Sequence, residues 1–181
     1  MSTISAVARF GSGKSVERVE DEALLTGDGR FVDDFSLPDQ AVMIVLRSPH
    51  AHARIRSIDA HAAARMPGVI AIVTGQDLAD AGVRPLVQSG DFKRADGSKT
   101  AAPPQHALAV DTVRFVGEGV AAIVAETKNE ARDAAEAIIV DYHPRRHVID
   151  VDSATANGAP HGWEEATGNV ACEARHGDPS A

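Results

Sequence analysis

Residues 41–48, AVMIVLRS, form a continuous apolar run rich in β-branched side chains and closed by Pro49, a pattern that predicts a buried strand. Residues 52–59, HARIRSID, alternate apolar and polar, the period of a strand with one face in water. Residues 60–68, AHAAARMPG, are alanine-rich and stopped by Pro67-Gly68, which predicts a helix of about two turns. A third strand follows in VIAIVTG. At its end Thr74 stands three residues before Asp77, the spacing of a capping box opening a short helix.

Further along, residues 107–127 predict two or three strands, broken at Asp111 and at Gly117-Glu118-Gly119. Thr127 and Glu130 form a second capping box before KNEARDAAEAI, where Ala131, Ala134, Ala135 and Ile138 share one helical face. The chain then returns to a strand in IIVDYH, so residues 119–143 predict a βαβ unit with the usual right-handed crossover. Before the first strand the sequence is charged; Gly27 and Gly29 end any helix there, and residues 30–32 predict a short strand. Residues 82–104 are polar, carry Gly90, Gly97 and Pro103-Pro104, and predict a long loop. Beyond Val151 the composition shifts to Ser, Thr, Gly, Asn and Pro, the signature of a linker or tail.

With 181 residues, 44% hydrophobic and 24% charged, the chain has the composition of a globular domain with extensions. Aromatic residues are only 4%, so the predicted core is aliphatic. The formal net charge of -8 argues against nucleic acid as a partner, because phosphate neutralisation needs surplus Lys and Arg. No apolar run approaches the roughly 20 residues of a membrane span, and the first residues lack a basic-then-apolar secretion pattern. The single cysteine, Cys172, reads as an exposed thiol and fits a reducing compartment, so a cytoplasmic location is expected.

Four places could carry chemistry. Residues 8–15, ARFGSGKS, have the spacing of a phosphate-binding loop, with Ala8 in place of the first glycine and Gly13, Lys14 and Ser15 at its end. Asp141, ending an apolar strand, could be the acidic partner that orients a metal. Against this, the strand before the loop would be only ISAV and the helix after it is heavily charged, whereas such a strand belongs in the buried centre of a parallel sheet. His50 and His52, two apart, would share a strand face like zinc ligands, but Arg54 and Arg56 on the same face repel a cation, so a solvated surface strand is expected. Glu118, between two glycines, could serve as a general base; a tight turn that needs φ > 0 accounts equally for the glycines. Cys172 has no histidine placed beside it to activate it.

The stretches RVEDEALLTGDGRFVDD (18–34), LRSPHAHARIRSID (46–59), MPGVIAIVTGQDL (66–78) and VRFVGEGVAAIVAET (113–127) occur in the order and with the gaps of one family. The chain resembles the start of a molybdenum hydroxylase large subunit, the superfamily of xanthine dehydrogenase, aldehyde oxidase and carbon monoxide dehydrogenase. Gly119 stands where that family usually has a proline, which predicts a looser turn, and HPRRHVID replaces its Leu-Pro stretch after VDY. The resemblance implies an α+β fold, the α/β-hammerhead, with a small mixed sheet or sheets and two to three helices. It divides the chain into an N-terminal arm (1–29), the hammerhead domain (30–151) and a linker or tail (152–181) leading toward molybdopterin-binding domains that this chain lacks.

By the same resemblance the expected function is the hammerhead portion of the large subunit of a xanthine dehydrogenase or aldehyde oxidase-type oxidoreductase, with a structural, subunit-packing role. The isolated chain is expected to be inactive and to bind no cofactor. Molybdopterin with molybdenum, iron–sulfur clusters and FAD belong to the implied holoenzyme. The expected partners are the molybdopterin-binding domains, on the same or an adjacent chain, and iron–sulfur and flavin subunits. The family's catalytic residues lie beyond this domain, so no catalytic, cofactor-binding or metal residue is expected here. Two other readings stand beside it: a phosphate-loop nucleotide-binding protein using Gly13, Lys14 and Ser15, and a non-catalytic interaction module.

Overall fold

Antiparallel pairing organises the described strands of the second of two compact units, Met1–Gln40 and Ala41–Ala181. The computed structural model describes residues 17–86 and 100–172, together with 93, 97 and 177. In the first unit, helix α1 (Asp21–Thr26) ends at Gly27, whose φ of 81° is the left-handed conformation of a helix C-cap. The strand expected at residues 30–32 is absent. A 3₁₀ turn (Val32–Asp34) takes its place because the Asp34 carboxylate accepts the Phe31 N–H at 2.8 Å and closes the chain on itself.

The second unit holds two three-stranded sheets. The first is ordered β1 (Val42–Arg47), β5 (Gly119–Ala125), β3 (Val69–Thr74). The second is ordered β4 (Thr112–Val113), β2 (Ala53–Asp59), β6 (Ile139–Pro144). Helix α3 (Lys128–Ala137) lies on β1 and β5, with Ala131 and Ala134 against Ala121, Ile123 and Ala125. Small side chains on both surfaces let helix and sheet approach closely, and the methyl-rich core matches the scarcity of aromatics. A second cluster of Ala53, Ile55, Ala109, Val113 and Val120 joins residues of both sheets.

The expected βαβ unit does not form. After α3 the chain enters β6, which pairs antiparallel with β2 in the other sheet, from Asp59↔Ile139 to Ala53↔Pro144. The physical reason is in the strand itself: Val140 and Tyr142 turn inward while Ile139, Asp141 and His143 are exposed, so only one face is buried. A strand of a parallel sheet between helix layers buries both.

Both threonines cap their helices, and the first closes as the expected reciprocal box. Thr74 Oγ1 accepts the Asp77 N–H at 3.3 Å, and Asp77 Oδ2 accepts the Thr74 N–H at 2.7 Å, opening α2 (Gly75–Asp80). Thr127 Oγ1 accepts the Glu130 N–H at 3.3 Å at the head of α3. Residues 60–68, in contrast, make only a 3₁₀ turn (Ala63–Arg65), because Pro67 forces Met66 into extended backbone (φ −70°, ψ 146°) and leaves too few residues to sustain a helix. Within the expected long loop, Leu86 forms an isolated antiparallel bridge with Gln105, just beyond it. The segment read as tail contains α4 (Val151–Thr155) and a further 3₁₀ turn (Thr167–Asn169), so among the described residues the second unit carries three helical elements besides α2 and α3, two of them in that segment.

Candidate functional site

The turn from Phe115 to Gly119 joins β4 to β5 and is tied by hydrogen bonds to the end of β1. Gly117 has φ of 91°, a conformation that needs a residue without Cβ, and its N–H donates to Ser48 O at 2.8 Å. The Ser48 N–H donates to Glu118 O at 2.8 Å, Arg47 Nη1 to Gly117 O at 2.8 Å, and the Glu118 N–H to Phe115 O at 3.2 Å. With Gly119 in place of proline the turn is therefore still pinned on both sides. The Glu118 carboxylate accepts the Arg114 N–H. Burial pushes its pKa above the usual carboxylate range, and the Arg114 N–H and guanidinium pull the other way. That carboxylate stabilises a backbone amide, which is a structural task.

Arg114 links this turn to the segment beyond residue 151. Its Nε donates to Gly162 O at 3.1 Å, its Nη1 to Thr112 O at 3.0 Å, and its guanidinium lies 3.8 Å from the centre of the Trp163 ring. Asn169, at φ of 57°, fixes the same segment: Oδ1 accepts the Gly162 N–H at 2.9 Å while Nδ2 donates to Ala154 O at 2.9 Å and Pro160 O at 3.0 Å. Sequence reasoning missed both residues. The available signal was the single Trp163, an expensive residue to place in a solvated tail.

The histidines do not gather as a metal site. His50 lies in the loop before β2, its ring edge-on to Tyr142 with centroids 4.8 Å apart, and so does not share a strand face with His52. His52 Nδ1 is 3.1 Å from Arg146 O; a carbonyl can only accept, so Nδ1 carries the hydrogen. Burial lowers the His52 pKa; the Arg146 carbonyl opposes this, and the charges of Arg145, Arg114 and His147 add to it. Arg54 and Arg56 are exposed on β2 as expected, Arg56 Nη2 meeting His143 Nδ1 at 2.9 Å and Nη1 lying 3.9 Å from Asp141 Oδ2. Asp141 thus sits on the solvent face of an edge strand, where it cannot orient a phosphate-bound metal. Gly13, Lys14 and Ser15 lie outside the described residues. Cys172 is exposed.

Among the described residues, two sizeable concavities flank Arg114. One, of about 210 Å³, is polar, with His52, Arg145 and His161 facing Asp111, Glu164 and Glu165. The other is an apolar groove of about 490 Å³ between Phe115 and Val116 on one wall and Val148, Ile149 and Val151 on the other. The described residues hold no cluster of three His, Cys, Asp or Glu able to bind a metal ion.

Two small antiparallel sheets with a helix laid on one of them define an α+β domain of the hammerhead class. Residues 26–146 match the profile of the aldehyde oxidase and xanthine dehydrogenase a/b hammerhead domain, and the chain belongs to this family. It is 37% identical over 142 residues to the 6-hydroxypseudooxynicotine dehydrogenase complex subunit gamma of Paenarthrobacter nicotinovorans, covering 78% of this chain and 18% of that one. It is 36% identical over 151 residues to the carbon monoxide dehydrogenase large chain of Afipia carboxidovorans, covering 83% and 17%. Among solved structures, it superposes on the Cu,Mo-CO dehydrogenase with a TM-score of 0.64 at 36% identity, over 82% of this chain and 17% of that one. Quinoline 2-oxidoreductase from Pseudomonas putida 86 gives 0.62 at 40% identity, over 78% and 17%. The chain therefore spans about a fifth of the length of the curated relatives it matches, and those relatives are oxidoreductase subunits.

The residues of this chain do not fit an iron–sulfur cluster. An iron–sulfur cluster is held by about four thiolates, and the chain has one cysteine. In the apolar groove the two charged side chains have partners within the chain, Arg114 as above and Asp150 with Ser153.

Proposed function

We propose that this chain is the hammerhead portion of the large subunit of a molybdenum hydroxylase, that it carries no catalytic residue, and that it works by packing. The observation that supports this most directly is how its best-placed polar side chains are spent. Glu118 holds a backbone amide, Arg114 holds two carbonyls and an indole, and Asn169 holds three backbone groups. Groups committed in this way are unavailable as base, acid or ligand.

In this reading residues 1–29 are an arm, 30–151 the hammerhead domain and 152–181 the stretch that leads toward molybdopterin-binding domains. Those domains, with iron–sulfur and flavin subunits, complete an assembly that holds molybdopterin, iron–sulfur clusters and FAD elsewhere. The single cysteine supports a reducing, cytoplasmic setting. No helix among the described residues is long and apolar enough to cross a membrane.

The test is affinity purification of the tagged chain from its native host, with mass spectrometry of what accompanies it. Stoichiometric recovery of a polypeptide bearing molybdopterin-binding domains is expected. Recovery of the chain alone overturns the proposal.

A further inference from the structure

We infer that the groove between Phe115 and Val116 on one side and Ile149 and Val151 on the other is the seat of an apolar ridge from the catalytic region of the large subunit. The inference rests on the function proposed above and adds the surface that does the packing. Phe115, Val116, Ile149 and Val151 are 58, 65, 83 and 79% exposed, and all four line one concavity of about 490 Å³. Large apolar side chains scattered singly over a surface are ordinary; four around one groove mark an interface.

The chemistry of the occupant follows from the rim. Asp150 accepts the Ser153 N–H at 2.8 Å, and the Arg114 guanidinium is held by Thr112, Gly162 and Trp163. Both charged groups are held by partners within this chain, and the side chains that form the walls are Phe115, Val116, Val148, Ile149 and Val151, so the surface that suits this groove is apolar. A second copy of this chain would bring another net charge of -8 against the first, which disfavours self-association.

Position points to the source. The match to the hammerhead profile ends at residue 146, and the second wall of the groove begins at Val148. The groove thus lies at the margin of the domain. In the relatives the matched stretch is 17 or 18% of one polypeptide, so the apolar surface available to abut that margin is the remainder of the same subunit.

Site-specific photo-crosslinking in the native host tests this. p-Benzoyl-phenylalanine would replace Val116 or Ile149 in the full chain, with Arg132 on α3 as the control position. Crosslinks from 116 and 149 to peptides of the molybdopterin-binding region, and none from 132, are expected. The paired variant Val116→Asp with Ile149→Asp should reduce recovery of that region about tenfold or more, as loss of an interface anchor does. Its melting temperature should stay near wild type, because both side chains are exposed. Crosslinks to a second copy, to an iron–sulfur subunit or to nothing, while the molybdopterin-binding polypeptide still co-purifies, overturn the groove and leave the proposed function standing. Failure of that polypeptide to co-purify with the wild-type chain overturns the proposed function itself.

Discussion

Glu118 illustrates how a residue that resembles a catalytic base can be committed to architecture. An acid whose pKa is raised in the folded state costs stability while ionised; stability is gained as pH falls through the raised value and is complete below the unfolded one. Glu118→Gln keeps an oxygen for the Arg114 N–H and removes the charge. It should therefore match or exceed wild type in melting temperature at pH 7, and the gap should close on acidification just above the ordinary carboxylate range. Glu118→Ala leaves that amide without its acceptor and should cost about 1–3 kcal/mol. Thermal melts of the three proteins across pH decide the matter; a Gln variant as damaged as Ala would show that the charge itself is needed. Arg114→Lys tests the neighbouring fork: lysine keeps the charge but cannot serve Thr112, Gly162 and Trp163 together. Amide exchange over residues 160–169 should accelerate severalfold in that variant, with little change in α3.

Among the elements, α2 shows what local sequence can specify and where it stops. Its cap was legible because Thr74 and Asp77 are three residues apart and satisfy one another. Thr74→Ala should cost about 1 kcal/mol, or roughly 2–4 °C in a chain of this size. Gly75→Ala should cost clearly more: a Cβ there would lie 2.2 Å from Ala109 O, a backbone atom that cannot swing aside. Melting curves of the two variants rank them, and equal losses would contradict the close approach. Sequence reasoning had no access to Ala109, more than thirty positions away. The same limit explains β6, whose one-sided pattern was readable but whose partner β2 was not. It also explains Arg114, Trp163 and Asn169, joined by contacts across 48, 15 and 9 positions with no periodic signal.

At the scale of the whole molecule, the strands, the long helix and the family were legible from apolar runs, capping boxes and four ordered motifs. The assignment of strands to two antiparallel sheets was not, because pairing is decided by which faces can be buried together. The packing of residues 151–172 was hidden by a polar composition that reads as linker. In the function proposed above, this fold supports catalysis without performing it. The decisive experiment is molybdenum analysis of the purified 181-residue chain, combined with dye-linked oxidation of aldehydes and N-heterocycles. A folded protein with no stoichiometric molybdenum and no turnover is expected; bound metal together with measurable oxidation by the chain alone would overturn the proposal.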